Sequence, residues 1–103
     1  FAAGASGWCT AAACLIPEQT LSLYAAAQAG DMAAARATFY RQLPLLQFIL
    51  KGGLPKTVKA GLRLSGLEVG APRHPVLPLD AAGCAALAAI LSAVTGEDAS
   101  LAA

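Results

Sequence analysis

The first ten residues, Phe1-Ala-Ala-Gly4-Ala-Ser-Gly7-Trp8-Cys9-Thr10, constrain the fold more than any other stretch of this chain. They show no initiator Met, no signal peptide and no helix-capping start. They read as the end of one element, a glycine-marked turn, and then a short buried strand over residues 8–12. A strand needs a neighbour, because unpaired backbone N–H and C=O groups are costly once buried. Beyond Pro17 the apolar segments have helical spacing, and none reads as a second strand. The expectation is that the partner strands lie on polypeptide outside these 103 residues, making the chain the C-terminal piece of a larger protein.

The apolar balance points the same way. Hydrophobic residues make up 57% and charged residues 13%, against roughly 45–50% and about 25% in ordinary soluble domains. No run approaches the roughly 18 uninterrupted apolar residues of a membrane span. The longest, residues 43–50, is broken by Pro44 and Gln47 and followed by Lys51. Much of the excess is alanine, which favours helix and close packing. Burial against further protein is the simplest use for that surface. The formal charge of +1 gives no electrostatic footprint for nucleic acid or an anionic membrane, and neither partner is expected. Cys9, Cys14 and Cys84 are odd in number and lack small-scaffold spacing, so a reducing cytoplasm is expected rather than a disulfide framework.

Four helices are predicted after the strand. Pro17 and Glu18 open the first, over 17–29, with Leu21, Leu23, Tyr24 and Ala27 as its apolar face. Gly30 ends it, and Asp31 caps the second, over 32–50. Met32, Ala35, Phe39, Leu43, Leu46 and Ile49/Leu50 recur there at spacings of three and four, and Pro44 predicts a kink. Lys51-Gly52-Gly53 is a stop signal. The third helix is predicted over 56–65, closed by Gly66, with Val58, Gly61 and Leu62 as a narrow buried stripe. Pro72, Pro75 and Pro78 keep the connector 68–79 extended. Asp80 caps a fourth helix over 81–94 through Leu87, Ile90 and Leu91, and 96–103 reads as a tail. The chain thus divides into 1–30, 31–95 and 96–103.

Local motifs carry little chemistry by themselves. Gly4-x-x-Gly7 reads as a turn that glycine adopts cheaply rather than as a ligand loop. Cys9 and Cys14 lack the short spacing of common zinc sites, and the single histidine, His74, lies among prolines, so no metal is expected. Cys84 reads as a small buried hydrophobe, and Arg73 as an anchor for the connector. Lys56 and Lys59 could be named as Schiff-base lysines, but ion pairing or a snorkelling position suits them better. No P-loop, nucleophile elbow or dinucleotide fingerprint is present.

The order of the pieces is more telling than any one of them. Gly4-Ala-Ser-Gly7-Trp8-Cys9-Thr10 is followed by Ile16-Pro17-Glu18, then Leu23-Tyr24, Gly30-Asp31 and Ala35-Arg36. Leu43-Pro44-Leu45, Pro55-x-x-x-Lys59-Ala60-Gly61-Leu62, Gly66-Leu67 and Pro72-Arg73-x-Pro75-x-x-Pro78-Leu79 complete the series. This resembles the C-terminal third of the dihydrodipicolinate synthase/N-acetylneuraminate lyase family, over nearly the whole chain. Gly7-Trp8-Cys9-Thr10 and Gly52-Gly53-Leu54-Pro55 look most like a branch near the 1-pyrroline-4-hydroxy-2-carboxylate deaminases.

The resemblance implies a fragment of an α/β (β/α)8 TIM barrel: its last strand (8–12) and last barrel helix (17–29), then a C-terminal helical extension, mostly α within this chain. It implies a class I aldolase-like lyase, with a sixth-strand lysine forming a Schiff base with pyruvate or a related 2-oxo acid and a fifth-strand tyrosine moving protons. Both would lie upstream of Phe1, leaving no catalytic residue here; Lys56 and Lys59 are not that lysine. Cys9 matches the eighth-strand residue that lines the keto-acid pocket, with Thr10 beside it as the second substrate-binding candidate. Cys14 falls where the family often has Asn. No cofactor is implied. The implied partners are the remainder of the barrel, the 2-oxo acid substrate and further copies in a homo-oligomer, dimer or tetramer. The alternative reading is a stand-alone, non-catalytic helical interaction module.

Overall fold

The computed structural model describes residues 1–96. Four α-helices carry the fold: α1 Pro17–Gln28, α2 Met32–Gly52, α3 Leu54–Leu64 and α4 Ala81–Thr95. A short 3₁₀ turn, Ala11–Cys14, precedes them. The expected tail begins at Gly96, which caps α4 in the left-handed conformation; residues 97–103 lie outside the described residues.

The helix punctuation follows local chemistry. Pro17 sits in the first turn of α1, where its missing N–H is no loss. Asp31 accepts from the Ala34 N–H at 3.1 Å and starts α2. Asp80 accepts from the Gly83 N–H at 2.7 Å and starts α4. Gly53, at φ +93°, separates α2 from α3 with a single residue. Any side chain at that φ would be strained. α2 runs unbroken through Pro44, two residues beyond the predicted end, and α3 begins two residues earlier than predicted. Pro44 lies on an exposed face, four residues after the exposed Tyr40.

The strand expected at 8–12 is not formed. Among the described residues there is no strand at all. Thr10 is extended, at φ −145° and ψ 135°, and its hydroxyl oxygen accepts from the Ala12 N–H at 3.3 Å, capping the 3₁₀ turn. The chain therefore coils where the strand was expected to continue. A ladder needs a second extended segment, and these residues supply none. The expected burial is corrected as well: Trp8 is 41% exposed and Cys9 is exposed, leaving Ala12 as the buried member.

The core forms where the 3₁₀ turn, α2, α3 and α4 meet. Ile16, Leu45 and Leu87 are fully buried there, with Ala12, Ile49, Ala60, Leu91 and Val94 around them. Burying one such aliphatic side chain contributes about 1.5–3 kcal/mol. Several helix faces differ from the apolar stripes expected. Leu21 is 67% exposed, and Thr20 is the buried residue of α1. α2 buries Ala35, Gln42, Leu45 and Ile49, while Met32 and Phe39 stay exposed. α3 buries Thr57, Ala60 and Gly61 rather than Val58 and Leu62. Gln42 is buried between α2 and α1, where its amide Nε2 donates to the Gln19 carbonyl at 2.8 Å. The Cα radius of gyration is 14.4 Å, above the about 13 Å of a compact domain of about 100 residues.

Candidate functional site

The candidate residues Cys9 and Thr10 stand immediately before a firmly held turn. The Ala12 carbonyl accepts from the N–H groups of Leu15 and Ile16 at 3.0 and 2.8 Å. The Ile16 carbonyl in turn accepts from the Thr20 N–H at 3.0 Å and the Thr20 hydroxyl at 2.9 Å. Ala12, Leu15 and Ile16 are all buried. The turn is thus pinned by both backbone and core, and it fixes where Cys9 and Thr10 emerge.

Both residues line a cleft of about 260 Å³ together with Ala11, Leu46, Ile49, Leu50 and Leu54. α2 supplies Leu46, Ile49 and Leu50; α3 supplies Leu54 across the Gly53 break. Thr10 Oγ1 is used as an acceptor by the Ala12 N–H, which leaves its hydroxyl proton to donate. No ionisable side chain other than the Cys9 thiol lines this cleft. Its chemistry is that of an apolar wall with one thiol and one hydroxyl. The sequence marks Leu46 and Leu50 as helix-face positions and Leu54 as part of a motif, not as cleft lining, although the Gly52-Gly53 break between Leu50 and Leu54 marks where two helix ends meet.

The other candidates lie apart. Lys59 Nζ donates to the Val69 carbonyl at 3.3 Å and so holds the connector to α3. Lys56 lies over Gly53, where a Cβ would meet its Cε at 3.3 Å. Arg63 Nη2 approaches Cys84 Sγ at 3.5 Å, and the half-buried Cys84 thiol points to the Leu79 carbonyl at 3.8 Å. Arg73 is exposed, with its side chain bonded to nothing among the described residues, and its carbonyl accepts from the Val76 N–H at 3.0 Å, closing a turn. Cys14 is exposed and does not line the Cys9 cleft. Gly4, at φ +104°, closes a turn with its N–H donating to the Phe1 carbonyl at 3.0 Å, as the turn reading expects. Among the described residues no group of three or more His, Cys, Asp or Glu side chains could hold a metal ion. Among the same residues no helix is long and apolar enough to cross a membrane.

Fold and site together define an all-helical unit whose irregular N-terminal segment is pinned by a buried 3₁₀ turn beside an apolar cleft. The sequence profile of the dihydrodipicolinate synthetase family matches residues 1–94, and the chain belongs to that family. It is 39% identical over 78 residues to the 4-hydroxy-tetrahydrodipicolinate synthase of an Exiguobacterium species, covering 76% of this chain and 27% of that protein. It is 37% identical over 91 residues to the enzyme of the same name from a Synechococcus species, covering 88% and 30%. A crystal structure of a Pseudomonas aeruginosa protein assigned as a dihydrodipicolinate synthetase superposes with a TM-score of 0.88 at 60% identity, over 90% of this chain and 32% of that one. The chain therefore spans about three tenths of the length of these relatives.

Proposed function

We propose that this chain is the C-terminal segment of a Schiff-base-forming lyase or synthase acting on pyruvate or a related 2-oxo acid. The observation that carries this reading is the 0.88 TM-score at 60% identity to an assigned dihydrodipicolinate synthetase. In this reading the extended residues just before the 3₁₀ turn pair with neighbouring strands of a (β/α)8 barrel as its eighth strand, and the turn at 11–14 ends it. α1 is the last barrel helix, and α2, α3 and α4 form the extension. The exposed Trp8, Leu21, Phe39, Tyr40 and Leu50 then find cover on the rest of the parent. A homo-oligomeric, cytoplasmic enzyme is part of the same proposal, and three free cysteines agree with a reducing compartment.

The chemistry assigned to the parent is imine catalysis. A lysine amine adds to the C2 carbonyl of the 2-oxo acid, water leaves, and the resulting imine accepts the electron pair released when a neighbouring carbon–carbon bond breaks. This segment supplies neither the amine nor the proton shuttle. Lys51, Lys56 and Lys59 all belong to α2 or α3, and none lines the Cys9 cleft. The contribution of this chain is the wall of the pocket: Cys9 as an apolar surface and Thr10 as a hydroxyl donor. Active sites of such barrels sit at the C-terminal ends of the strands, and Cys9 and Thr10 immediately precede the pinned turn.

Incubating the full-length protein with pyruvate and borohydride tests the reading. Hydride reduces the imine to a secondary amine and fixes one substrate on one lysine. The adduct is expected on a lysine outside this segment. An adduct on Lys56 or Lys59 would overturn the placement, and a native product with the mass of this chain alone would favour the stand-alone interaction module.

A further inference from the structure

We infer that Gly61 is a positioning residue for the proposed 2-oxo acid pocket: its missing side chain lets Leu15 seat against α3, and the turn that Leu15 closes holds the Thr10 hydroxyl in place. The inference rests on the Schiff-base reading above and adds to it a residue of the helical extension. Gly61 lies inside α3 and is not among the glycines at positive φ. Its backbone therefore does not call for glycine, and glycine inside a helix is less favourable than alanine. The packing supplies the reason. A Cβ at position 61 would lie 2.6 and 2.8 Å from the two terminal carbons of Leu15. Gly61 and Leu15 are both buried by residues of this chain, so the contact needs nothing from the rest of the parent.

A short path of hydrogen bonds links that contact to the pocket wall. The Leu15 N–H donates to the Ala12 carbonyl at 3.0 Å. The Ala12 N–H donates to Thr10 Oγ1 at 3.3 Å, which holds the side chain that caps the turn. With that oxygen engaged as an acceptor, the hydroxyl proton is the group left for a substrate oxygen. Thr10 shares its cleft with Cys9. A methyl at position 61 pushes Leu15 from its seat, and a shift of the turn carries Thr10 with it. A displacement of about 1 Å at a binding group can cost up to about 100-fold.

The test is borohydride trapping of pyruvate by the full-length protein, read as a half-saturating concentration and as a maximal rate. Gly61→Ala is expected to raise the half-saturating concentration several-fold and to leave the maximal rate within about twofold, because the lysine and proton shuttle assigned to the parent lie outside this segment. Leu15→Ala empties the same seat and is expected to act in the same direction. The double variant partly refills the seat and is expected to lie closer to the wild type than either single variant. If Gly61→Ala does not fold, the comparison of Leu15→Ala with the double variant carries the test. Asp80→Ala, which weakens the cap of α4, is the control for destabilisation, and its half-saturating value is expected to match the wild type. Three results each reduce the contact to packing and overturn the positioning role, leaving the Schiff-base reading standing: an unchanged half-saturating value in the single variants, an equal rise in Asp80→Ala, or a double variant no better than Leu15→Ala. A wild type that traps no pyruvate overturns the Schiff-base reading itself, and the positioning role with it.

Discussion

Gly61 on α3 and Leu15 at the end of the 3₁₀ turn occupy adjoining volume, so that a side chain at position 61 requires Leu15 to shift. A Cβ there would lie 2.6 and 2.8 Å from the two terminal carbons of Leu15. The contact seats the turn that precedes α1 and follows Cys9 and Thr10, so it bears on where those two residues stand in their cleft.

Gly61→Ala is therefore expected to destabilise the full-length protein by about 1–3 kcal/mol through overpacking. Thermal melting measures it. The double variant with Leu15→Ala should recover part of the loss, because it empties the space the new methyl needs. Additive losses in the two variants would mean that the positions do not share that space.

Thr57 is fully buried, and its hydroxyl oxygen has no hydrogen-bond partner among the described residues. A Cβ at Gly52 would lie 3.0 Å from it, so the site is also tight. Thr57→Val keeps the shape and removes an unsatisfied polar atom. It is expected to stabilise by up to about 1 kcal/mol in denaturant unfolding of the full-length protein. A loss of more than about 1 kcal/mol would show that the hydroxyl has a partner in the assembled protein.

Asp80→Ala removes the acceptor of the 2.7 Å bond from the Gly83 N–H at the start of α4. The expected cost is about 1 kcal/mol, with Asp80→Asn or Asp80→Ser restoring most of it. Equal melting temperatures for Asp80→Ala and the wild type would show that the connector, not the cap, sets where α4 begins.

Cys9→Val preserves an apolar wall of similar volume, and borohydride trapping of pyruvate is expected to persist with altered affinity. Cys9→Arg puts a large charge into an apolar cleft and is expected to abolish trapping. Complete loss in Cys9→Val would make the thiol a chemical participant rather than a surface.

Expressed alone, residues 1–103 are expected to bind ANS and give broad NMR lines, because large apolar side chains such as Leu21, Tyr40 and Leu50 lack cover. A sharp, dispersed spectrum with a cooperative melt would show that the segment is a domain in its own right.

Local signals in the sequence determined the order of the helices and most of their ends. Pro17, Asp31 and Asp80 start helices, and Gly30 and Gly96 follow their ends at positive φ, because caps and turns depend on a residue and its immediate neighbours. The motif order carried the family in the same way. Only the tertiary structure decided which side of each helix is buried. Alanine and leucine lie on most faces of these helices, so periodicity does not separate Leu21, which is exposed, from Thr20, which is buried. Gln42 and Thr57 enter the interior because α2 and α3 meet α1 and the 3₁₀ turn there, a non-local fact that no window of sequence contains. The strand expectation failed for the same reason: strand geometry is completed by a partner, and a segment without one follows its local cap, here the Thr10 hydroxyl on the Ala12 N–H. The cleft at Cys9 likewise exists only where residues about 40 apart in sequence are brought together by the break at Gly53.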